Sequence, residues 1–208
     1  MAAAMVVNLI VAIPAARKHK SLGAVRTDLT KVLMPCTAAS AVIGVLLGNL
    51  VPGETLRLAL AAFILAYCVY NVIRMVQGPR PADTPNETVR KWQLIVTGCV
   101  TGLIAGVLGL GGGVIMVPML QVLCRVRLRQ AIGTSSATMV ITALTGAIVK
   151  VLTLSQHGEA VSEALMLAAI MAPGAVVGAI WGASLTHRLP IRAVRAIITA
   201  LPVSYTHL

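Results

Sequence analysis

The chain has 208 residues, 58% of them hydrophobic and only 11% charged, with a mean hydropathy of +0.91. This balance excludes a soluble globular domain and points to an all-α, polytopic transmembrane helical bundle. A net charge of +11 would suggest nucleic acid in a soluble protein, but aromatics make up 3% here. The basic residues fall between apolar runs, where topology explains them and nucleic acid does not.

Met1 to Ala16 is apolar but shorter than the roughly 20 residues a span needs. It has no charged n-region or small-residue cleavage site, so it reads as the cut end of a span and not as a secretory signal. Arg17, Lys18, His19, Lys20 and Arg26 are expected to form a basic loop. Leu29 to Val51 then makes a full span containing Pro35, Gly44 and Gly48. Pro52, Gly53 and Glu54 turn it into an antiparallel neighbour, Leu56 to Val76. Residues 77–91, with Pro79, Pro81, Pro85 and mixed charge, read as a polar linker. Cys36, Cys68, Cys99 and Cys124 stand singly in apolar surroundings and act as small fillers, without metal-ligand spacing.

Trp92 to Leu123 cannot be one straight helix. Gly109, Gly111, Gly112 and Gly113 occur within five positions, which frees the backbone for φ > 0 and removes the side chains that would shield N–H groups. Pro118 suits the first turn of a new helix, where its missing N–H costs nothing. Lipid supplies no water to such backbone, so the break must be buried in protein or line a wet cavity, as at the substrate sites of transporters. Helix N-termini there favour an anion. Gly98, Gly102 and Gly106, spaced by four, are assigned to helix packing. A dinucleotide fingerprint is excluded because Val114 stands where its third glycine would fall and no strand precedes it.

Arg125, Arg127 and Arg129 follow the broken element, and Ala131 to Leu154 is the next span, opening with Gly133, Thr134, Ser135 and Ser136. Lys150 near its far end is expected to snorkel. Leu165 to Leu185 is another span, with Pro173 and with Gly174, Gly178 and Gly182 spaced by four; a last one begins near Ala193.

Sliding the halves by 138 positions aligns His19 with His157, Pro35 with Pro173, Gly44 with Gly182, Pro52 with Pro190 and Arg57 with Arg195. A duplication explains the match. The expected domains are therefore 1–76, the remainder of a first transmembrane repeat; 77–91, the linker; 92–202, an incomplete second repeat; and 203–208, a non-native tail. On this reading the chain is a fragment truncated at both ends.

Trp92 to Leu123 spans about 48 Å as helix, too long for one crossing and too short for two. A hairpin that returns to its starting side places nearly all basic loops together, leaving only Arg57 and Lys150 opposite. The positive-inside rule therefore favours the hairpin and, with it, inverted repeats.

The run Gly98 to Pro118, with Gly-Val-Leu-Gly-Leu-Gly-Gly-Gly at 106–113 and Val117-Pro118, closely resembles the signature half of the sulfite exporter TauE/SafE family, as does Ala131-Ile132-Gly133-Thr134-Ser135 after it. The loop with His19, Gly23, Ala24 and Val25 resembles the part of a repeat that follows the signature. The resemblance implies about eight spans in two related halves and movement of sulfite, sulfonates or related organic anions across the bacterial plasma membrane. It also implies that Gly109, Gly111, Gly112, Gly113, Pro118, Thr134 and Ser135 occupy motif positions. An even number of spans per half contrasts with the inverted arrangement drawn from charge.

Asp28, Glu54, Asp83, Glu87, Glu159 and Glu163 all lie in loops or at span edges. Cation transporters place carboxylates in mid-membrane, so their absence favours an anionic or neutral substrate, with no metal and no cofactor. Thr134, Ser135 and Ser136 are the side-chain donors nearest the glycine turn, or else caps of the helix that begins there. His19, His157 and His187 are expected as solvated loop residues. Gly133-Thr134-Ser135-Ser136 faintly resembles an intramembrane serine protease motif, which would need a histidine within reach. A non-transporting scaffold packed by small residues is the other alternative. The expected partners are a small anionic substrate, the lipid bilayer and, for a homo-oligomer, a second copy.

Overall fold

Inside lipid the backbone can satisfy its polar groups only along a helix or around a closed barrel, and the apolar runs fold as helices. The structure, a computed structural model, describes residues 2–76, 89–109, 111–156 and 161–189. These hold seven helices: α1 (Ala2–Ser21), α2 (Thr27–Leu50), α3 (Gly53–Val76), α4 (Lys91–Leu108), α5 (Gly113–Val122), α6 (Leu128–Gln156) and α7 (Val161–Arg188). Four segments are long and apolar enough to cross a bilayer, namely Thr27–Leu50, Lys91–Leu108, Leu128–Leu152 and Ala168–Arg188. Most of the linker, the final apolar run and residues 203–208 lie outside the described residues.

Two boundaries differ from expectation. Arg17, Lys18, His19 and Lys20 are not a loop but the end of α1, and only residues 22–26 connect it to α2. Long basic side chains are good helix formers and favour a helix C-terminus, where the dipole is negative. Helix α6 likewise begins at Leu128, six residues before Thr134, so the Thr-Ser-Ser cluster lies inside the helix and does not cap its start.

Glycines set how closely α2 and α4 approach. A Cβ at Gly106 would lie 2.5 Å from the Ala41 carbonyl, one at Gly98 would lie 2.8 Å from Cys36 Cβ, and one at Gly102 would overlap Ser40 and Thr37. Ser40 Oγ donates to the Gly98 carbonyl across this seam at 3.3 Å. Small residues at this spacing let backbones pack where lipid offers no hydrophobic drive for association. The contacts Thr37 with Gly102 and Gly44 with Gly106 make α2 and α4 parallel. Arg26 with Thr134 and Asn49 with Lys150 make α6 parallel to both. Helix α1 runs against α6, with Met5 beside Gly146 and Ala24 beside Gly133. His19 and His187 meet at the ends of α1 and α7, so α7 runs with α1 and opposite to α2.

One core cluster joins Leu29 and Leu33 of α2, Leu94 of α4, Met116 and Leu120 of α5, Cys124 and Val126 beyond it, and Ala131 of α6. Leu94 lies in the first turn of α4 and Cys124 beyond the end of α5, and Thr97 Oγ1 meets Cys124 Sγ at 3.9 Å. Helix α5 therefore doubles back along α4 to the side where α4 began. Arg17, Lys18, Lys20, Arg26, Arg90, Lys91, Arg125, Arg127, Arg129 and Arg188 gather at that end, as the hairpin reading expects. Cys124 is a buried apolar filler there.

Replacing Gly102 by Ala overpacks the seam and is expected to cost about 1–3 kcal/mol. Gly178→Ala, on a face of α7 where nothing lies within 4 Å of the added carbon, should leave stability unchanged. Thermal unfolding in detergent, measured side by side, checks the contrast.

Candidate functional site

Helix α4 stops because Gly109 turns left-handed, at φ 74°, with its N–H returning to the Ala105 carbonyl. Gly111 and Gly112 follow at φ 67° and 85°, a region that costs an L side chain about 1–2 kcal/mol. Gly112 is the N-cap of α5 and carries no side-chain acceptor, so the first-turn N–H groups of α5 have no partner from a cap. Counting 1.5 Å per residue, Gly109 lies about 27 Å in from the start of α4, whereas Gly112 packs beside Thr101 and Thr142, about 15 Å and 21 Å in from the starts of α4 and α6. The start of α5 is therefore near mid-depth of a core about 30 Å thick.

Helices α1, α4 and α6 enclose it. Thr101 Cγ2 of α4 lies 3.2 Å, and Thr142 Cγ2 of α6 3.9 Å, from the place a Cβ would take on Gly112. Ser135 Oγ lies 3.9 Å and Met139 Sδ 3.5 Å from the same point on Gly113, while Met139 Cε lies 2.7 Å from that on Gly111. From α1, Asn8 Nδ2 donates to the Gly109 carbonyl at 3.3 Å and lies 3.1 Å from the Cβ position of Gly111. Met139 and Asn8 thus close over the turn.

Of the residues expected at the site, Gly109, Gly111, Gly112, Gly113 and Ser135 come together. Pro118 does not, because the glycines themselves start α5 and the proline falls at its sixth position, inside the helix. Thr134 is fully buried but serves the α1–α2 connection, its Oγ1 accepting the Arg26 N–H at 3.1 Å. Ser136 Oγ donates to its own helix at Ile132 O, 2.9 Å away. Reasoning from sequence missed Asn8, Thr101, Met139 and Thr142. Asn8 carried a signal, as the one polar residue between Met1 and Ala16, and a polar side chain inside an apolar run is expensive unless used.

Hydroxyls in these helices usually donate to the carbonyl four residues back, as Thr37, Thr138, Thr142 and Ser136 do. Thr101 departs from this. It is fully buried, and its Oγ1 has no hydrogen-bond partner. Such a group costs free energy unless something fills its valence.

His19 and His187 are not solvated loop residues. His19 is 3% exposed, and its Nδ1 lies 3.2 Å from His187 Nε2, so one ring donates and the other accepts. The packing of α1 against α7 buries His19 and half-buries His187, and they bond each other, not Ser135 or Ser136. His157 lies outside the described residues.

Helices that cross a bilayer, with one broken at mid-depth, define a multi-pass membrane protein. The family model described as sulfite exporter TauE/SafE matches residues 1–204, and the chain belongs to this family. It is similar to a probable membrane transporter protein MamO of Magnetospirillum gryphiswaldense, 29% identical over 93% of this chain and 35% of that protein. A protein of the same name in Paramagnetospirillum magneticum is 28% identical over the same shares. The chain therefore spans about a third of the length of these relatives. No solved structure matches.

Gly112→Ala forces a Cβ into the left-handed region and should lower stability by about 1–2 kcal/mol. Gly113→Ala, at the first helical residue, should not. Melting temperatures of the two variants in detergent decide whether the turn needs its left-handed backbone.

Proposed function

We propose that the protein moves small anions (sulfite, sulfonates or related organic anions) across the bacterial plasma membrane, with the glycine turn as half of the substrate site. The observation that carries this reading is the buried break itself, where the uncapped start of α5 packs against the Thr101 side chain, whose methyl faces Gly112 and whose buried hydroxyl has no hydrogen-bond partner. Family membership supports membrane transport. The site's chemistry supports an anion, since the N-terminal end of α5 carries a partial positive charge and every side chain around it is neutral.

The transport proposed makes and breaks no covalent bond. Helix α1 runs opposite to α6, and α2 opposite to α7, and these are the segments that the 138-residue offset pairs. That supports two inverted halves, an arrangement in which one half rocks against the other around a central site. The open stripe of Gly174, Gly178 and Gly182 on α7 supports docking of another helix, including one from a second copy.

Gly112→Leu should abolish anion flux into proteoliposomes carrying the chain while leaving its membrane insertion intact. Loss of flux is expected for a transporter, whereas a scaffold predicts none in either form. Absence of anion-dependent flux with sulfite, sulfonates and small carboxylates would overturn the proposal.

A further inference from the structure

We infer that the glycine turn selects singly charged oxyanions over doubly charged ones, and that Asn8 and Thr101 are its binding side chains. This rests on the anion-transport reading and specifies the substrate's charge.

The elements around the turn carry no ionised group near it. Helix α4 has none after Lys91, α5 has none, α1 has none before Arg17, and α6 has none between Arg129 and Lys150. Lys150 lies about 12 Å further along α6 than Thr142 and is hydrogen-bonded to Asn49 Oδ1. Arg129 lies about 9 Å back from Ser135 and donates to the Leu189 carbonyl at 3.1 Å.

The groups present are neutral donors. The first-turn N–H groups of α5 have no cap. Thr101 packs its methyl 3.2 Å from the Cβ position of Gly112, and the buried hydroxyl of the same side chain is unpartnered. Ser135 Oγ stands near Gly113, and Asn8 Nδ2 has one N–H on the Gly109 carbonyl and a second to offer. Such a set can replace part of an anion's hydration shell, but no full counter-charge offsets its removal from water.

The cost of taking an ion into a low-dielectric site rises with the square of its charge, so a doubly charged anion pays about four times the penalty of a singly charged one. The attraction of the fixed dipoles rises only in proportion to the charge. The balance therefore favours charge one.

Methanesulfonate and sulfate make a suitable pair, because they have similar tetrahedral shape and differ by one charge. Sulfite adds a titration, since it exchanges between the singly charged hydrogensulfite and a doubly charged form near neutral pH. The experiment measures Kd for each anion on the purified chain in detergent, at constant ionic strength from pH 6 to 8.5, with proteoliposome flux in parallel.

Methanesulfonate is expected to bind at least tenfold more tightly than sulfate, with no pH dependence, and sulfite affinity should rise as pH falls. Thr101→Val and Asn8→Leu, both close in shape to the residues they replace, should weaken methanesulfonate on the order of tenfold each. Thr101→Ser should restore binding by returning the hydroxyl. Sulfate binding as tightly as methanesulfonate, or sulfite affinity that is flat with pH, overturns the charge selection but leaves anion transport standing. Unchanged binding in folded Thr101→Val and Asn8→Leu overturns the residue assignment. If no anion binds and none crosses, the transport reading itself falls.

Discussion

Backbone that leaves a helix inside lipid has to find its hydrogen bonds in protein. At Gly109–Gly113 the chain meets this constraint by packing the break among α1, α4 and α6, with Asn8 of α1 donating to the Gly109 carbonyl and Thr101 and Thr142 closing on Gly112. The rest of the fold serves that enclosure. Helices α2 and α4 approach through their glycines, α5 is held against both by Leu33, Leu94, Met116 and Leu120, and α6 brings its hydroxyl face inward. Weakening any of these contacts exposes polar backbone to hydrocarbon.

The enclosure is incomplete in one respect, and the proposed binding site rests on that incompleteness. Buried hydroxyls in this bundle fold back onto their own helix, but Thr101 does not. The uncapped start of α5 packs against the same side chain, whose methyl faces Gly112. The N–H groups donate and the hydroxyl can donate, so an acceptor would suit both. The hydroxyl-bearing face of α6, at Ser135, Thr138 and Thr142, continues inward past the turn.

Much of the architecture was legible from the apolar runs, because a helix in lipid is dictated by length and hydropathy alone. The doubling back of α5 could also be read, from the distribution of arginines and lysines. The helix ends were less legible: Arg17 to Lys20 extend α1, and α6 starts before its Thr-Ser-Ser cluster, since basic side chains tolerate either helix or loop at a membrane surface. Pro118 illustrates a similar limit. It is compatible with a first turn, but the glycines before it had already started the helix.

Composition and the glycine spacing by themselves determined the class of protein, the place where a helix must break and the use of Gly98, Gly102 and Gly106 for close packing, because each follows from local chemistry: lipid solvation, φ > 0 and the lack of a Cβ. Only the tertiary structure decided which side chains meet the break. Asn8 arrives from about a hundred residues away, Thr134 turns to the α1–α2 connection instead, and His19 is buried against His187. These outcomes depend on which faces of α1, α4, α6 and α7 turn inward together. Helix packing sets that rotation, and no single stretch of the chain contains it.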